Sequence, residues 1–134
     1  MEKRRRIIRQ PVRALIALAA FAGTTQACEL PPGMRVESAQ VSISYWTNPE
    51  KIAVGQPFVL ELAACAKRGA PVSGRIKLDA HMPEHRHGMN YQPGLKPMGG
   101  GRYRSEGWLF HMPGRWEFVF ELGAERLTHS VLIE

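Results

Sequence analysis

Residues 116–122 read Trp-Glu-Phe-Val-Phe-Glu-Leu, so Trp116, Phe118, Phe120 and Leu122 occupy alternate positions with Glu117 and Glu121 between them. A period of two belongs to a strand with one face buried, because successive side chains of an extended chain point to opposite sides. The buried face here carries the largest apolar side chains in the sequence, which makes it the centre of a core. Working outward, the same period recurs. Val41–Tyr45 alternates and is ended by Asn48-Pro49. Phe58, Leu60 and Leu62 share a face in the run to Cys65, and in residues 75–82 Ile76, Leu78, Ala80 and Met82 oppose Arg75, Lys77, Asp79 and His81. Residues 102–110 and 127–133 add two more strands, and no segment has a helical period. Six or seven short strands separated by turn residues predict an all-β fold, an immunoglobulin-like antiparallel β-sandwich of about seven strands. Its core is expected to contain Trp116, Phe118, Phe120, Leu60, Leu62, Ile76 and Leu78. Residues 83–101, rich in proline and glycine, are expected to form one long irregular loop, the kind of segment that usually carries function.

The N-terminus has the three parts of an export signal: a basic start, the apolar run Ala14–Ala22, and small residues ending at Ala27. Residues 1–27 therefore read as a signal peptide, exported by the general or the twin-arginine route, with 28–33 as an N-terminal segment and 34–134 as the domain. The signal also accounts for the charge. It holds six of the 18 basic side chains and one of the 12 acidic ones, leaving 12 against 11, a net of +1. No basic surface with interleaved aromatics remains, which argues against nucleic acid as a partner. Beyond the signal the chain has two cysteines, Cys28 and Cys65, an even number in a compartment that permits disulfides. They are expected to pair; the rival reading makes Cys28 a lipid-modified first residue.

The stretch 81–112 concentrates soft-metal chemistry. It holds His81, His85, His87 and His111, four of the five histidines, and Met82, Met89, Met98 and Met112, four of the five methionines other than Met1. Imidazole with thioether, without a cysteine cluster, suits copper, Cu(I) in particular, better than structural zinc. An extended His85-x-His87 puts both rings on one side of the chain, with Gly88 bending it to bring in Met89. The expected site is His85, His87 and Met89, completed by His111 or Met98, with His81 and Met112 as secondary candidates. His81 is expected to face outward and Met82 inward. His129 reads as structural, and Trp108 and Tyr91 either shield the site or pack on the sheet.

The segments HMPEHRHGM at 81–89 and FHMPGRWEF at 110–118 resemble those of the YtkA-like family of small exported β-sandwich domains, over residues 34–134. That resemblance implies fold and location. The chain is more loosely similar to periplasmic copper chaperones that feed cytochrome oxidase, which take a histidine and methionines from two separated segments. Here the second cluster is His111-Met112 instead of His-x-Met. The function so expected is copper binding or carriage outside the cytoplasm, with no catalysis and with a membrane-bound oxidase-assembly or efflux component as partner. The alternative is a metal-free interaction domain of a membrane-associated complex. A hydrolase built on Ser105, a histidine and Glu106 lacks a nucleophile elbow. A zinc hydrolase with His85, His87, His111 and Glu84 as base leaves the methionines without a use.

Overall fold

Alternating burial on Trp116–Leu122 places this segment at the centre of one of two facing sheets. The computed structural model describes residues 28–69, 72 and 74–134, so the expected signal peptide lies outside the described residues. The strands, in chain order, are β1 (Met34–Glu37), β2 (Val41–Asn48), β3 (Pro57–Ala66), β4 (Ile76–Met82), β5 (His87–Gly88), β6 (Gly94–Gly99), β7 (Arg102–Leu109), β8 (Gly114–Leu122) and β9 (Glu125–Ile133). One sheet has the order β1-β2-β3-β7-β6 and the other β5-β4-β8-β9. Every pairing is antiparallel, so the all-β sandwich expected from the alternation is what forms. No described helix is long and apolar enough to cross a membrane.

The inner faces meet on Trp116, Phe118 and Phe120 from β8, Leu60 and Leu62 from β3, Tyr45 and Ile43 from β2, Trp108 from β7, and Phe110 just beyond it. Trp108 thus belongs to the core, its indole Nε1–H donating to Ser105 Oγ at 2.9 Å. Tyr91 stays exposed, and Ile76 at the start of β4 is only half-buried. Tyr45 Oη and His129 Nδ1 are 2.6 Å apart. Burial pushes the Tyr45 phenol up from its ordinary value, so it remains protonated and donates to the imidazole. His129 is accordingly a cross-sheet strut.

Two expectations need correction. There are nine strands among the described residues, not about seven, and 83–101 is not one irregular loop. Its second half forms β6, which pairs with β7 from Gly94↔Glu106 to Gly99↔Arg102. Proline and glycine masked this strand, yet Pro97 is tolerated because β6 is a sheet edge and needs no ladder bond on its outer side. β5 is only two residues long, and β1 has too few apolar side chains for its period to show.

The N-terminal segment has a definite task. Ser42, Ser44, Ala63 and Cys65 lie on the outer faces of β2 and β3, opposite the core-facing Ile43, Tyr45, Leu62 and Ala64, and yet are buried. Residues 28–33 cover Cys65 and Ser44, and Glu37 of β1 lies beside Ser42. Cys28 bonds to Cys65, Ser44 Oγ donates to the Pro31 carbonyl, and a Cβ on Gly33 would lie 2.6 Å from the Tyr45 carbonyl oxygen. The Cys28–Cys65 disulfide closes a loop with a sequence separation of 37. It also commits the Cys28 sulfur, which removes the attachment atom for a lipid thioether. Replacing both cysteines by serine is expected to cost about 3–4 kcal/mol in the chain-entropy view, read as a lower denaturant midpoint at unchanged slope. Thiol titration of the unreduced protein is expected to find no free sulfhydryl.

Candidate metal centre

Chain topology brings the two motifs to one end of the sandwich. β4 ends at Met82 and continues through a turn into β5, while residues 110–113 carry the chain from β7 in one sheet to β8 in the other. Because β4 pairs with β8, from His81↔Glu117 to Ile76↔Leu122, the end of β4 and the start of β8 lie side by side. Residues 85–89 and 111–112 therefore meet, although more than twenty residues separate them along the chain.

His87 is the middle of the cluster. Its ring centroid lies 5.7 Å from that of His85 and 5.2 Å from that of His111. Two imidazoles on one ion, at a metal–nitrogen distance of about 2 Å, have centroids roughly 5–6 Å apart for angles between tetrahedral and linear. Both separations fall in that range. His87 Nδ1 is 3.3 Å from the Gly88 carbonyl. Since a carbonyl only accepts, that contact puts the proton on Nδ1 and leaves the Nε2 lone pair free.

Beneath the imidazoles lies Trp116, with no solvent exposure. Its indole stacks on Phe110 at 4.3 Å and 11°, and its Nε1–H donates to the Met112 carbonyl at 3.0 Å. His87 and His111 stand nearly perpendicular to it, at 6.0 Å and 5.5 Å. The side chain that anchors the core thus also forms the floor of the histidine cluster. The sequence marked Trp116 as core, and its reading missed this second contact. The available signal was the short spacing that sets Trp116 only five residues after His111.

The methionines divide. Met82 is cross-strand partner to His87, so both project to the inner face, with Cβ atoms about 5 Å apart. It is fully buried, and a Cβ on Gly114 would lie 2.6 Å from its Cε, so Gly114 makes room for it. Met89 and Met112 are partly buried against the core at the same end. Met98 is not brought here. It is exposed near the far end of β6, where Pro97 pairs with Tyr103, six residues before Leu109. At about 3.3 Å per residue this places it roughly 20 Å along the sandwich from the end of β7, beyond which His111 lies. His81 is on the outer face, its Nε2 3.4 Å from Glu117 Oε1, and so stands away from the inner imidazoles, as the alternation implied.

The local reason for the His85–His87 pairing differs from the expected one. Arg86 between them has φ of 54°, so the segment is a turn and not an extended His-x-His. Gly88 does not bend the chain either. It is a strand residue paired with His81, and a Cβ there would lie 3.3 Å from the Ala80 carbonyl oxygen. Glu84 faces Arg115 at 3.7 Å. Ser105 donates to the Gly94 carbonyl at 2.6 Å and so ties β6 to β7.

Among the described residues no three His, Cys, Asp or Glu side chains form a ready-made set of metal ligands. A mainly apolar cavity of about 500 Å³ lies at the opposite edge of the sandwich, lined by Tyr45, Trp46, Ile52, Phe118, Val131 and Ile133 among others, and takes no part in the cluster. No family model, curated protein or solved structure matches this chain.

Proposed function

We propose that this protein is an exported copper-binding domain that carries Cu(I) at one end of its sandwich. The observation that supports this best is the placing of His85 and His111 on either side of His87, with His87 and His111 standing on the Trp116 indole, at the end of the sandwich that also holds Met82, Met89 and Met112. Copper is cargo in this reading, and no chemical step is assigned to the chain. Two or three imidazoles with a thioether hold Cu(I) without a thiolate, which suits an oxidising compartment where free cysteines would be lost to disulfides. The Cys28–Cys65 bond fits such a non-cytoplasmic compartment. The signal-like N-terminus refines it to the periplasm or an equivalent exported space, and the motif resemblance to YtkA-like domains belongs to the same proposal. Exposed His85 and His111 flanking a half-buried His87, rather than a closed cage, suit transfer of the ion to a membrane-bound oxidase-assembly or efflux component.

X-ray absorption of the copper-loaded protein tests the ligand set. Mixed nitrogen and sulfur scattering is expected, and it should be unchanged in Met98→Leu and His81→Gln, whose side chains lie away from the cluster. His129→Gln should lower stability through the lost Tyr45 contact while leaving copper affinity intact. A nitrogen-only shell, or a large loss of affinity in Met98→Leu, would contradict this ligand set. Failure to take up copper at all would favour the metal-free interaction domain.

A further inference from the structure

Among the described residues four strands lie at sheet edges, and three of them are poor templates for another strand. β1 has four residues, β5 has two, and β6 carries Pro97 together with Gly94 and Gly99. β9 is different. It is nine residues long, pairs with β8 over its whole length from Gly114↔Ile133 to Leu122↔Glu125, and among the described residues hydrogen-bonds to no strand on its other side, although β1 of the facing sheet packs near it. Its sequence, ERLTHSVLI, contains no proline or lysine, and its charged residues Glu125 and Arg126 are confined to the first two positions, so the rest of the edge lacks the usual guards. Instead Leu132 stands 68 % exposed on its outer face, the most exposed of the large apolar side chains among the described residues.

From this edge we infer that the protein self-associates, two copies pairing antiparallel through β9 to make one continuous eight-stranded sheet. The occupant is a second copy because the strand is complementary to itself. With the two-fold axis at Ser130, Arg126 of each copy stands opposite Glu134 of the other, giving an opposite-charge pair at both ends. Leu127 then meets Ile133 and His129 meets Val131 on the inner face, while Thr128 meets Leu132 on the outer face. Residues that share a face in one copy share it in the other, so the buried inner layer continues across the joint. Cross-strand pairs of these kinds favour the register, and like charges directly opposite disfavour it. Antiparallel pairing sends the two histidine clusters to opposite ends of the sheet, so the association does not depend on metal.

Sedimentation velocity over a concentration series, on the disulfide-intact protein without added metal, tests this. A monomer–dimer equilibrium is expected. Arg126→Glu alone, or Glu134→Arg alone, sets like charges together at both ends and should weaken the dimer about tenfold or more. The double exchange should restore it. Both positions are exposed, so the fold survives, which a melting curve of each variant verifies. Hydrogen exchange should slow along β9 as concentration rises. A wild-type protein that stays monomeric throughout the series, a dimer indifferent to the charge reversals, or one whose β9 amides gain no protection would overturn the inference.

Discussion

Trp116→Ala is expected to leave the domain barely folded at room temperature. The side chain has no exposure, stacks on Phe110 at 4.3 Å, and touches the cluster that closes this end of the sandwich. Removing a buried tryptophan costs about 3–5 kcal/mol in lost burial and cavity formation. Loss of the Nε1 donor to the Met112 carbonyl adds about 1 kcal/mol. Domains of this size have total stabilities of roughly 5–15 kcal/mol, so a fall in melting temperature of about 15–35 °C is expected. Trp116→Phe keeps a ring against Phe110 and should lose about 1–2 kcal/mol. Calorimetry of the three proteins decides: an alanine variant melting with the wild type would mean that Trp116 does not anchor this core.

The second large effect is on copper. Substituting His87 by alanine, alone or together with His85, is expected to abolish tight Cu(I) binding while changing stability little. His87 is the ring that stands within reach of both others, at 5.7 Å and 5.2 Å, so its loss leaves His85 and His111 without the ligand between them. Groups that merely orient a ligand are worth about 10–100-fold in metal affinity, and a ligand itself should exceed that. The side chain is only half-buried in a two-residue edge strand, which is why the fold should tolerate the change. Competition against a Cu(I) chelator, with the melting curve recorded alongside, separates loss of a ligand from loss of the fold. Wild-type affinity in the double variant would remove these histidines from the site.

Much of the fold was legible because the core strands obey a single period. Trp116, Phe118 and Phe120 alternate with charged or smaller residues, and so do Ile76, Leu78 and Ala80, which is the pattern a half-buried strand imposes. Edge strands escape that rule. β6 buries little, so nothing compels Leu95 and Met98 into register with an apolar face, and its proline and glycines read as loop. The candidate site was legible in residue type and only partly in geometry. Alternation placed His81 outside and Met82 inside. Met98 stood out by chemistry alone, and only its pairing beside Tyr103 separates it from the histidines. The convergence of 85–89 with 111 depends on β4 lying next to β8, a long-range pairing that no local pattern encodes. The burial of Ser44 was likewise invisible, because the cover is a segment tied down by the disulfide at a distance.

The most direct measurement of the central claim is an anaerobic titration of the purified, disulfide-intact protein with Cu(I), in competition with a chelator of known affinity. One equivalent taken up tightly by the wild type, retained in His129→Gln and lost in the His85→Ala/His87→Ala protein, is the expected result. No uptake by the wild type, or uptake unchanged in the double variant, would contradict a copper site at this end of the sandwich.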